Sequence, residues 1–199
     1  RAMNPSAPTT INLDGNYKPD GWYTYGQHAD VMMMDTYYEG DQAFVNWDRP
    51  NAIPLFRKAT IVYASTIATT TAAEPNPAHI VLNSCEHKNM TTGEIWPFAS
   101  PALKRIQVYY TLAGGAKGVA YWWFKKGYPY NGLDDGGPEA TALWKEIGRL
   151  GNEIKTAQPL LVISHPVTMP VIPNNTNIWV RTLAADTTTL MLFVVNDNY

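Results

Sequence analysis

The sequence is poor in charge and nearly devoid of cysteine. Asp, Glu, Lys and Arg make up 16% of its 199 residues, against roughly 25% in an ordinary soluble domain. Fifteen basic and seventeen acidic residues leave a formal charge of −2, so the electrostatic footprint of a nucleic-acid binder, or of a protein held on an anionic membrane, is missing. The single cysteine, Cys85, excludes an internal disulfide framework and a multi-cysteine zinc site and leaves the redox compartment open. No stretch approaches eighteen uninterrupted apolar residues, and the opening Arg1-Ala2-Met3-Asn4-Pro5 carries no apolar signal-peptide core, so neither a membrane span nor a leader is expected. What the chain does have is aromatic surface: seven Trp and twelve Tyr within a 45% apolar composition, which excludes disorder and demands a location for so many amphipathic rings.

Local patterns give an alternating grammar. Leu143, Ile147, Leu150 and Ile154 recur at helical spacing after Gly137-Pro138 and before Pro159, predicting a helix over 138–158. A second helix is predicted over 101–113, with Ser100 as cap, Pro101 at the first position, Leu103, Ile106, Tyr110 and Ala113 on one face, and Gly114-Gly115 as its end. A third is expected over about 54–72. Between them lie short continuous apolar runs, 29–35, 78–83 and 118–124, which read as strands buried in a parallel sheet, with a weaker strand over 9–13 and a long loop before 29. The order β, β, α, β, α, β, α implies right-handed parallel βα units. Four such units of about 37 residues each are half of an eightfold barrel. After Pro159 the pattern changes: 177–183 and 189–195 flank 184–188 as a β-hairpin, the start of a β-rich module. The fold class is therefore α/β, with residues 1–160 as half a (β/α)8 barrel and 161–199 opening an accessory β domain.

In parallel α/β folds the working residues gather where strands end. Here those positions carry Asp35-Thr36-Tyr37-Tyr38-Glu39, Asn83-Ser84-Cys85-Glu86-His87 and Tyr121-Trp122-Trp123-Phe124. Carboxylates and amides beside clustered rings suit a sugar, whose apolar faces stack on aromatics and whose hydroxyls need polar partners. Glu86 is the candidate nucleophile or base toward a glycosidic carbon; the plain alternative is a solvated loop residue paired with Lys88. Asp35 and Tyr37 are candidate sugar contacts or simple packing. Adjacent on a strand, Trp122 and Trp123 are expected to face opposite sides, leaving one as a platform. Trp22 and Trp96 fall in predicted loops, Trp144 reads as core because it borders the apolar face of the last helix, and the Gly-rich segment 125–137 is either a plain surface loop or one able to close over a ligand. The four histidines have no metal-ligand spacing, no cofactor motif is found, and Cys85 reads as a small buried residue.

Two blocks carry a resemblance. Leu103-Lys-Arg-Ile-Gln-Val-Tyr-Tyr-Thr-Leu-Ala-Gly-Gly-Ala-Lys-Gly-Val-Ala-Tyr-Trp-Trp-Phe124 resembles the seventh helix and eighth strand of (β/α)8 glycoside hydrolases of the agarase-like and β-galactosidase-like kinds, and Trp22-Tyr-Thr-Tyr-Gly26 with Ala29-Asp-Val-Met-Met-Met-Asp-Thr-Tyr37 is similar to their sixth strand. The resemblance implies strands five to eight of such a barrel followed by the first hairpin of a β-sandwich. It places the strand-seven nucleophile at Glu86 and puts the acid/base carboxylate on strand four, outside this sequence. It also implies a carbohydrate substrate, Asp35, Tyr37, Trp122 and Trp123 as its contacts, the N-terminal barrel half as partner, an inactive isolated chain, and a secreted or cell-surface setting. Two other readings stay open: a non-catalytic glycan-binding, scaffold or cell-surface protein of the same fold, and an independent small α/β domain.

Overall fold

A computed structural model describes residues 6–14, 19–36, 55–88, 90, 93, 95–127, 129–168, 171, 173–175 and 177–196. Four parallel strands, β1 (Thr10–Asp14), β2 (Val31–Thr36), β3 (Ala78–Asn83) and β6 (Gly118–Trp122), form one sheet whose neighbours follow chain order. Their registers run Asn12 to Met33, Met33 to His79 and His79 to Gly118. The crossovers are α2 (Leu55–Ala73) between β2 and β3, and α3 (Pro101–Ala113) between β3 and β6; α4 (Pro138–Ile163) follows β6. Alternate strand residues Met32, Met34, Ala78, Ile80 and Leu82 are buried beneath the helices, packing with Val62, Val108, Leu112 and Leu150. On the other face Asn12, Met33, His79 and Asn83 are half-buried or exposed, with Val81 buried among them.

Helix α3 forms where its caps dictate. Ser100 Oγ accepts from Leu103 N at 3.2 Å, Pro101 occupies the first turn, and Gly115 adopts φ +95°, the left-handed conformation that ends the helix. Its predicted apolar face meets an unexpected partner. Leu103 and Tyr110, with Ile106, pack with Val195 and Trp179 of the C-terminal hairpin, while the side toward the sheet combines Val108 and Leu112 with fully buried Lys104, Gln107 and Thr111. The hairpin itself, β9 (Ile178–Ala184) paired antiparallel with β10 (Leu190–Asn196), matches the alternation read from sequence. Its turn is tied by Asp186 Oδ1, which accepts from Thr188 N and Thr189 N at 2.7 Å each. A two-residue strand β8 (His165–Pro166) adds to β9.

Two elements differ from the sequence reading. The expected loop between β1 and β2 contains α1 (Pro19–Tyr25), and the indole of Trp22, anticipated in a loop, is 6% exposed within the core. Proline at the first helical position and an anchoring Trp suffice to hold seven residues that are too few to show a period. The last helix runs through Pro159 to Ile163. Pro159 and Lys155 are both exposed, so the carbonyl deprived of its donor lies on the side of the helix open to solvent. The extra turn is secured from outside: Lys117 Nζ, at the start of β6, donates to Leu161 O at 2.8 Å and to Ser164 O.

Candidate functional site

Beyond the carboxyl end of β3 the chain does not enter a plain loop. Glu86 opens a second, small antiparallel sheet, in which β4 (Glu86–Lys88) lies between β5 (Ile95–Trp96) and β7 (Tyr130–Asn131). Strand β7 belongs to the Gly-rich segment after β6, so the segment read as a closable loop is pinned across the strand ends. Lys126 and Asp135 hold it at 2.7 Å, and Asp134 Oδ1 accepts from Lys126 N. The ion pair raises the Lys126 ammonium and lowers the Asp135 carboxyl from their ordinary values.

Glu86 pairs in register with Asn131, and its Oε1 accepts from Asn131 Nδ2 at 2.8 Å. The amide, not Lys88, is therefore the partner the structure gives this half-buried carboxylate. The next pair, His87 and Tyr130, stacks with ring centroids 4.6 Å apart. Burial pushes the His87 imidazole below its ordinary value. The ring series continues from Tyr130 to Trp123 at 5.9 Å and from Trp123 to Trp122 at 4.8 Å. Trp122 and Trp123 thus adjoin rather than diverge, which corrects the expectation of opposite faces. Strand β6 ends at Trp122, so pleat alternation does not extend to Trp123, and the peptide bond between them is cis. Trp122 remains 37% exposed; Trp144, expected in the core, is 52% exposed and meets Phe124 edge-on at 5.8 Å, because Leu143 takes the inward position beside it.

The turn leading to Glu86 is held at several points. Asn83 Oδ1 accepts from Cys85 N at 3.2 Å and from Cys85 Sγ at 3.0 Å, Ser84 N donates to Trp122 O, and Lys104 Nζ reaches from α3 to donate to Asn83 O. Cys85 is 2% exposed, as expected of a packing residue. Asp35, half-buried near the end of β2, stands beside Val81 in register, one strand from the turn. Tyr37 lies outside the described residues. On the same face of the sheet His79 sits against Gly118 and is pushed below its ordinary value by burial; on the helix-covered face, where Tyr121 of β6 pairs with Leu82, burial pushes the Tyr121 hydroxyl up to about 12.

Among the described residues no three His, Cys, Asp or Glu side chains are arranged to hold a metal ion, and no helix is long and apolar enough to cross a membrane. A cavity of about 170 Å3 lies elsewhere, between α3, α4 and β10, lined by Leu112, Leu150, Ile154 and Phe193 with Glu153 and Tyr109. Its one carboxylate is occupied by Arg105 and the Tyr109 hydroxyl.

The site contains three residues that sequence reasoning did not select. Asn131 and Tyr130 reach β4 through a pairing between segments more than forty residues apart, for which no local signal exists. Lys104 had one: at the i, i+3, i+7 spacing of Lys104, Gln107 and Thr111 it marks a polar stripe on a helix whose other side was already apolar. Comparison with protein-family models and with curated proteins finds no match to this chain.

Proposed function

We propose that the chain is the C-terminal half of a (β/α)8 glycoside hydrolase, with Glu86 as the nucleophile and Trp122, Trp123 and Tyr130 as a sugar platform. The observation that carries this reading is that the segments following β3 and β6 pair in one small sheet, which carries an amide-anchored carboxylate and the start of a run of aromatic rings. Rings stack on the apolar faces of pyranoses, and a carboxylate that accepts a single amide hydrogen bond keeps lone pairs for an anomeric carbon. Strand order supports the barrel: all neighbours follow in sequence without the reversal that defines a doubly wound sheet. Among the described residues the helices pack on one face of the parallel sheet and β1 and β6 lie at its edges, which supports a second half as partner. Two-carboxylate hydrolysis then draws its acid/base from that half, with about 5 to 9.5 Å between the carboxyls.

One observation favours the second reading, a glycan-binding protein of the same fold without turnover. Strand alternation puts Glu86 and Asn131 on one face of the small sheet and the His87–Tyr130 stack on the other. Incubating the full-length protein, its Glu86→Gln variant and its Trp122→Ala variant with a panel of polysaccharides separates the two. Hydrolysis abolished by Glu86→Gln establishes the hydrolase. Saccharide binding that is lost in Trp122→Ala and never accompanied by turnover establishes the binding protein, and neither binding nor turnover rejects both.

A further inference from the structure

A lysine with no solvent exposure is expensive to keep inside a protein, since its ammonium surrenders hydration that only well-placed acceptors replace. Lys104 is such a residue, fully buried on the inner side of α3. Its Nζ donates to the carbonyl of Asn83, the last residue of β3. That residue is also where the turn toward Glu86 is organised: its side-chain oxygen accepts from both the amide and the thiol of Cys85, and the following amide, of Ser84, donates to Trp122 O on the neighbouring strand. One buried cation in the helix layer therefore grips the main chain from which the candidate carboxylate projects, three residues before it.

We propose that Lys104 is a positioning residue for the strand-end site, a latch that fixes the Asn83–Glu86 turn and with it the Glu86 carboxylate and the adjoining Trp122. As a statement about catalysis this rests on the hydrolase reading above; as a statement about the turn it does not. The chemistry favours a lysine over a neutral donor. A charge-assisted donor holds a backbone carbonyl more firmly than a neutral amide would. The neighbouring Gln107 and Thr111, equally buried on the same stripe, have no hydrogen-bond partner for Gln107 Nε2, Gln107 Oε1 or Thr111 Oγ1. They supply an internal comparison: buried polar residues of the same helix whose side chains make no hydrogen bond to the turn.

Cys85, the only thiol in the chain and buried within the latched turn, reports on it directly. The test is the rate at which a disulfide reagent labels Cys85 under native conditions in the wild type, Lys104→Met and Gln107→Met. Removing a charged hydrogen bond should open the turn and speed labelling by about tenfold or more in Lys104→Met, with Gln107→Met close to wild type. Equal acceleration in both variants signals general loosening of α3 and overturns the proposal, as does an unchanged rate in Lys104→Met. Should Lys104→Met fail to fold, Lys104→Gln, which retains a donor without the charge, takes its place with the same expected direction. In the full-length protein the same substitution should lower kcat with KM little changed. Selective labelling in a full-length protein that lacks glycosidase activity keeps the latch and removes the hydrolase; selective labelling with kcat untouched removes the positioning role.

Discussion

His79 and Gly118 face each other across the β3–β6 pairing so closely that a Cβ added at residue 118 would lie 2.7 Å from the imidazole. Glycine here makes room for a ring on the side of the sheet opposite α2 and α3. Gly118→Ala should therefore cost about 1 to 3 kcal/mol in urea unfolding through overpacking. His79→Ala in the same chain should recover most of that loss, whereas additive effects would show that the ring is not the obstacle.

The same histidine sets a pH dependence. Burial lowers the folded-state pKa of both His79 and His87 below the ordinary value of 6.5. The unfolded chain then binds protons first, so this contribution to stability is complete above pH 6.5 and is lost as pH falls through the lowered folded values. Thermal unfolding should show a falling Tm between pH 7 and 5, and His79→Gln should flatten that slope. A Tm that rises on acidification, or a slope unchanged in the variant, contradicts the assignment.

Lys117 closes the end of α4 from another element, donating to Leu161 O and Ser164 O where helix carbonyls lack partners. Lys117→Met keeps the apolar stem and removes the donors. It should cost about 1 to 3 kcal/mol and raise amide exchange specifically around residues 160–164.

Between α3 and α4, Arg105 bridges Glu146 at 2.6 Å and Glu153 at 2.8 Å. The two carboxylates differ in setting: Glu146 is 4% exposed, while the Glu153 side chain is 42% exposed. Arg105→Met, which strips a buried carboxylate of one of its two arginines, should cost about 3 kcal/mol. Glu153→Gln should cost less than about 1 kcal/mol and fade with salt. Equal costs would mean that burial does not decide the strength of these pairs.

What could be read from the sequence was local. Ser100-Pro101 and Gly114-Gly115 bracket α3 because cap chemistry acts within a few residues, and period-two alternation defines the hairpin because its turn is short. What escaped depended on distance along the chain. The stripe of Leu103, Ile106 and Tyr110 correctly marked a buried face of α3, but nothing in the spacing says that it faces the hairpin instead of the sheet. Glu86 was found as a carboxylate at a strand end, yet its partner Asn131 and its side of the chain follow from a remote strand pairing. Pro159 failed as a stop because a proline on the solvent side of a helix offends only one carbonyl, and because Lys117 secures the turn beyond it.

The chain-ordered sheet has a kinetic meaning as well. Each of β2, β3 and β6 joins an edge left by the strand before it, and none has to be threaded between two others already paired. A chain emerging from its N-terminus can thus lay down each βα unit on a finished template, closing one unit-sized loop at a time, so that assembly advances in the same direction as synthesis.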